Sequence, residues 1–163
     1  MSTPFLDEIY KRVDFDRELV FKFFTVFSLF EYALRQAGYC ATGRSGEAQP
    51  NWEDFANAIH PQFDPQGNQT LTTAVDYMLN HPVMKQVPRN NALVFIQRQR
   101  PHNMNNTLWI SILIRGVRNN LFHGGKFRYE RPRDPDLIHS SLIILEAWSQ
   151  CNNEVKLALE NIR

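Results

Sequence analysis

The sequence lacks the motifs by which many catalytic proteins are recognised. Its 163 residues include 7 glycines and 2 cysteines, and they contain no glycine-rich phosphate loop, no H-E-x-x-H, no G-x-S-x-G and no zinc-spaced cysteine–histidine cluster. These absences leave familiar cofactor and zinc chemistry without support, so we expect neither a cofactor nor a metal. Cys40 and Cys151 lie far apart without C-x-x-C spacing. This spacing predicts reduced thiols in a cytoplasmic protein.

An excess of charge of one sign and a long apolar run are also lacking. Lys and Arg number 18 against 17 Asp and Glu, which argues against coating nucleic acid by bulk charge, so any RNA contact should be local. The N-terminus has no signal-peptide pattern, and the most apolar stretch, residues 19–30, is short and contains Lys22. We therefore expect a soluble cytoplasmic protein with no membrane contact.

The apolar pattern predicts an all-α protein. The chain length suits a single domain over residues 1–163, built as a bundle of about four to six helices, two or three of them long. Helices are predicted at 16–37, 52–60, 70–81 and 105–123, and from near Asp136 almost to the C-terminus. Residues 83–101 are predicted to be irregular because their periodicity is mixed and they contain two prolines. The first half of helix 16–37 is apolar nearly all round, which favours a subunit interface.

Polar residues with useful chemistry concentrate near the end of helix 105–123. They are Arg115, Arg118, Asn119, Asn120, His123 and Lys126. A polar stripe runs along the same helix and predicts a polar groove; it consists of Thr107, Ser111, Arg115 and Arg118. His123 lies in the last turn, where unpaired carbonyls favour a cation, so its imidazole should protonate readily and could act as an acid.

Arg118 and His123 lie roughly 140° apart on an unbroken helix, so they do not face the same point. They converge if the helix tightens or ends at Gly124, if the arginine reaches across, or if a second copy supplies the partner group. A twofold dimer is the most economical of these. One arginine and one histidine from each subunit would supply a base, an acid and positive charge, which is what RNA cleavage by its own 2′-hydroxyl requires.

The bare spacing from arginine to histidine has little specificity, because such a pair is expected by chance about once in a chain of this composition. A second pair, Arg133 and His139, is rejected because Pro135 is predicted to place it across a loop and the first turn of the next helix. The structural alternative for Arg118 and His123 is a helix C-terminus in which the histidine bonds backbone carbonyls and the arginine pairs with a surface carboxylate.

The string RNNLFHGGK after an apolar helix resembles the HEPN superfamily (higher eukaryotes and prokaryotes nucleotide-binding domain). The hallmark of that family is an arginine, four to six residues beginning with a polar one, and then a histidine. The likeness covers residues 105–126 and only loosely the rest. It implies a helical bundle, a homodimer with both motifs in one cleft, and metal-independent endoribonuclease activity in toxin, antiviral-defence or RNA-processing settings. Arg118 and His123 would be catalytic, with Asn119 orienting the imidazole.

Other interpretations remain open. Arg115 and Lys126 are candidate RNA-phosphate contacts or simply solvated charges. The chain as a whole could instead be a non-catalytic module that binds nucleotide, RNA or a partner protein, or a purely structural dimerisation domain. Because a freely active ribonuclease would harm its host, we also expect an antitoxin, a regulatory partner, an activating signal or low intrinsic activity. The three tryptophans are predicted to lie in the core; they are Trp52, Trp109 and Trp148.

Overall fold

The computed structural model describes residues 4–12, 16–122 and 133–162. Within them the chain forms seven α-helices: α1 Pro4–Arg12, α2 Arg17–Gln36, α3 Trp52–Ile59, α4 Gln69–Asn80, α5 Asn106–Phe122, α6 Arg133–Cys151 and α7 Asn153–Glu160. The mainly helical prediction is confirmed, although seven helices exceed the expected four to six. Three of them are long, α2, α5 and α6, with 20, 17 and 19 residues. None of the described helices has the length and apolar character of a membrane span.

Helix α2 contributes one buried face to the bundle. Its start is fixed by Asp16, whose side chain accepts a hydrogen bond from the backbone N–H of Leu19 at 2.9 Å. An apolar stripe along this helix is buried, including Phe23, Phe27 and Phe30. This stripe packs against α6 and α7, while α4 packs against α6 and α3 against α5. The opposite side of α2 stays open, since Phe21 is 73% exposed.

Aromatic rings fill the core between these helices. Trp148 of α6 is fully buried and meets Phe55 and Phe63 edge-on, with ring centroids 6.1 and 5.9 Å away. Trp52 stacks on Phe30 at 5.5 Å, and its Nε1 donates to Glu31 Oε1 at 3.0 Å. Trp109 is also buried. The prediction that the tryptophans belong to the core is confirmed.

Two small hairpins were missed by the helical interpretation. Strands β1 (Cys40–Thr42) and β2 (Ala48–Pro50) pair where a loop is predicted, and β3 (Lys85–Arg89) pairs with β4 (Ala92–Ile96) in the stretch predicted to be irregular. The second hairpin turns through Asn90 and Asn91, whose φ angles are 49° and 60°. Two successive positive φ angles are the signature of a type I′ turn, which matches the twist of paired strands, and asparagine tolerates this region.

The last predicted helix is divided in two. Asn152 interrupts it, because its side chain accepts from the backbone N–H of Val155 at 3.0 Å and donates to the Tyr39 hydroxyl at 2.9 Å. The start is also earlier than predicted. Arg133 opens α6 and Pro135 lies in its first turn, where proline removes no helical hydrogen bond, so the reason given for rejecting the Arg133–His139 pair is wrong.

Candidate functional site

The candidate site is built on the C-terminal half of α5. Asn105 begins this helix, since its side chain accepts from the backbone N–H of Leu108 at 2.8 Å. A continuous buried face, including Ile110, Leu113 and Val117, then fixes the helix in the core. This packing determines which residues near the helix end face solvent.

The guanidinium of Arg118 is held in place from two sides. Its Nη1 donates to Asn119 Oδ1 at 3.0 Å, and its Cζ lies 5.1 Å from the ring centroid of Phe122 and 5.8 Å from that of Phe27 on α2. The side chain is half-buried. Among the described residues no carboxylate pairs with it. Arg118 therefore presents an oriented positive charge without a counter-ion among the described residues. If Arg118 served only to stabilise the helix C-terminus, it would instead be expected to pair with a surface carboxylate.

Asn119 is predicted to orient the imidazole of His123, a residue outside the described ranges. Asn119 is exposed on α5, and its amide oxygen is occupied by Arg118. Its observed contact orients the arginine. His123, to which the sequence assigns the acid role, and Lys126 lie outside the described residues. The members of the predicted site that the structure places are thus Arg115, Arg118 and Asn119.

The predicted polar groove along α5 is not formed. Thr107 and Ser111 are 1% and 0% exposed. Thr107 Oγ1 lies 2.9 Å from His60 Nδ1, and the Ser111 hydroxyl donates to the Leu108 carbonyl at 2.8 Å. Small polar side chains can be buried in a core when hydrogen bonds of this kind satisfy them. The spacing of Thr107 and Ser111 along the helix therefore did not show that they face solvent.

The solvent-facing residues form a shorter band, which we call the exposed strip of α5. It contains Arg115, Arg118, Asn119 and Phe122, all exposed or half-buried. At about 100° per residue, Arg115 lies near the middle, with Arg118 roughly 60° to one side and Asn119 roughly 40° to the other. Beyond Asn119, roughly 100° from Arg115, comes Gly116. The strip thus extends from the α2 side of the helix to the side that carries the second hairpin.

Arg98 borders the strip on that second side, and the sequence analysis did not single it out. It follows β4, is half-buried, and crosses α5 at Gly116. A Cβ at Gly116 would lie 2.9 Å from Nη2 of Arg98 and 2.7 Å from Cγ1 of Val83. Burial, and secondarily the positive charge of Arg115, lower the pKa of Arg98. A glycine inside an otherwise good helix was the sequence signal for this close approach.

Asn120 turns away from the strip. Its side chain is 4% exposed and donates from Nδ2 to the Met84 carbonyl at 2.8 Å, tying α5 to the segment before β3. Although it belongs to the polar group at the helix end, Asn120 has a structural contact here.

Replacing Asn120 with alanine should lower the free energy of unfolding by about 1–3 kcal/mol, because a buried hydrogen bond is lost. Asn119→Ala, with the same chemical change at an exposed neighbour, should change it by less than about 0.5 kcal/mol. Urea denaturation measures both. Equal losses in the two variants would contradict the structural role of Asn120.

A separate cavity of about 700 Å³ lies between α2, α6 and residues 62–71. Its polar lining mixes Lys22 and His139 with Asp64 and Glu146, so it concentrates no positive charge for a phosphate chain. Cys151 also lines it, and burial raises the pKa of that thiol. Among the residues that the structure describes, no group of three or more His, Cys, Asp or Glu could hold a metal ion.

Comparison with protein-family models, with curated proteins and with solved structures finds no match to the chain. The likeness to the HEPN superfamily therefore depends on the motif residues and their helical setting.

Proposed function

We propose that the protein is a metal-independent endoribonuclease of the HEPN type, with its site at the interface of a homodimer. The observation that carries the proposal is the state of Arg118. Its guanidinium is half-buried, fixed by Asn119 and two phenylalanine rings, and unpaired by any described carboxylate. A fixed guanidinium without a counter-ion suits the bidentate binding of a phosphate.

The proposed reaction uses Arg118 and His123. A base, His123 of one protomer, takes the proton of the RNA 2′-hydroxyl, and the 2′-oxygen attacks the adjacent phosphorus. The new P–O2′ bond forms as the P–O5′ bond breaks, and the partner's His123 donates a proton to the leaving 5′-oxygen. Arg118 stabilises the charge that develops on the phosphorane-like transition state. The products are a 2′,3′-cyclic phosphate and a 5′-hydroxyl, and no step requires a metal.

Exposed apolar side chains, of which Phe122 contacts Arg118, support the homodimer. Helix α1 has only nine residues, a length at which a helix is marginal without packing, and Phe5 and Leu6 on it are 71% and 60% exposed. Phe21 on α2 and Phe122 beside Arg118 are 73% and 64% exposed. A second copy covering these residues would bury them and bring a second motif close to the first.

The biological setting that suits such an enzyme is a toxin or antiviral-defence system. An uncontrolled ribonuclease degrades the RNA of its own cell, so we propose an antitoxin or regulatory partner protein, or an activating signal. The proposed RNA contacts beyond the catalytic pair are Arg115 and Lys126.

The test is cleavage of labelled single-stranded RNA by purified protein in EDTA, with the product ends identified and the molar mass measured by light scattering. We expect a dimer whose cutting survives chelation and leaves 2′,3′-cyclic phosphate ends. His123→Ala should be at least about 100-fold slower, since it removes the general acid and base. Equal cutting by both proteins would exclude His123 as the catalyst. A folded dimer that does not cut would favour the non-catalytic binding module.

A further inference from the structure

Arg98 occupies a position that is costly for an isolated cation. Its Nε is buried and has no hydrogen-bond partner, and within the described parts of the chain no carboxylate pairs with it. A second arginine, Arg115, acts on it with charge of the same sign. The two guanidinium groups lie on the same side of α5 and repel each other. Burial makes this repulsion stronger, because less solvent is present to screen the charges. An anion bound between the two guanidinium groups would offset their repulsion and part of the cost of burying the charge of Arg98.

The shape of the fold favours contact between Arg98 and a ligand. Gly116 has no side chain, so the guanidinium of Arg98 lies close to the helix backbone, at a point that the buried side chain of Val83 also approaches. Around α5, Arg98 and Arg118 border opposite edges of the exposed strip, and Arg115 and Asn119 lie between them. Because a helix with its side chains is roughly 10–12 Å wide, an RNA strand laid across the strip would meet the two arginines through different phosphates.

We propose that Arg98 and Arg115 form a second phosphate-binding subsite, which holds an RNA strand across α5 away from the scissile phosphate. The inference rests on the proposed function, because it takes RNA as the ligand of the same strip. It adds Arg98, whose role is to position the strand. Arg98 donates to the phosphate through its planar fork, and Arg115 supplies the exposed charge that draws the strand in.

Binding of a fluorescent 2′-O-methyl RNA oligonucleotide tests the subsite without any cutting, because this probe has no 2′-hydroxyl. Anisotropy titrations at several salt concentrations would compare wild type with Arg98→Gln. We expect the Kd to rise about tenfold and the salt slope to fall by about one. Arg44→Gln, an exposed arginine between β1 and β2, should change neither. An unchanged Kd and salt slope in Arg98→Gln would overturn the subsite.

A second variant keeps the test valid if Arg98→Gln fails to fold. Arg115 is exposed, so Arg115→Gln removes charge without removing packing, and it should weaken binding and lower the salt slope in the same way. Wild-type binding by a folded Arg115→Gln, or no binding of the probe by wild type, would overturn the proposal. Failure of the catalytic proposal has a different signature: the probe binds in an Arg98-dependent manner, while ordinary RNA stays uncut.

Discussion

Replacing Arg118 with alanine should lower the rate of RNA cleavage by about 10²–10³-fold, because the group that stabilises the transition-state charge is removed. Arg118→Lys should recover only a small part of this loss. Lysine restores a point charge, but it lacks the planar fork that donates to Asn119 at 3.0 Å while presenting other donors to a phosphate. The fall should appear in kcat as well as in kcat/KM, since the contact strengthens in the transition state.

The matched control for Arg118 is Arg44→Ala, which removes an exposed arginine from the turn of the first hairpin and should leave the rate unchanged. Expression in a host provides a second measurement, because slow growth with wild type should be relieved by Arg118→Ala. Full activity in a folded Arg118→Lys variant would show that simple charge is sufficient. Full activity in Arg118→Ala would remove Arg118 from the mechanism.

Replacing Trp148 with alanine should have the largest effect on stability, a loss of about 3–5 kcal/mol in the free energy of unfolding. The side chain is 0% exposed and joins α6 to the rings of Phe55 and Phe63, so truncation leaves a cavity at the meeting point of three segments. Denaturant titration followed by circular dichroism measures the change.

Trp148→Phe separates the effect of packing from that of the indole N–H. Trp148 Nε1 is buried without a hydrogen-bond partner in the described residues, so phenylalanine removes a polar group that is not satisfied there. It also keeps an aromatic ring against its neighbours. We therefore expect Trp148→Phe to lose less than half as much stability as the alanine variant. Similar losses in both variants would mean that the cavity is not the main cost.

The helices could be predicted because their signals are local. A helix beginning near residue 16 is predicted from the apolar residues that follow, and the structure confirms it, with Asp16 as its N-cap. The second hairpin gives a weaker signal. Its turn is Asn90–Asn91 rather than the usual asparagine–glycine, and Pro88 lies in β3, where only the open edge of a two-stranded sheet tolerates it.

The candidate site was predictable where it depends on one helix and not where distant segments meet. Arg118 and Asn119 follow from the motif, and their hydrogen bond joins adjacent residues. Arg98 is 20 residues away from Arg118, and nothing in its local sequence shows that the chain after β4 crosses α5 at Gly116. The burial of Thr107 depends likewise on His60, which comes from another helix end.

The second hairpin is attached to α5 at both of its ends. Before β3, the Met84 carbonyl accepts from Asn120, and after β4, Arg98 lies across Gly116, about one helical turn away. The two strands between these attachments have five residues each, a length of roughly 17 Å. The hairpin is thus anchored to α5 at its base and projects from it. A contact made at its tip, at Asn90, would therefore act on the position of Arg98 at the base.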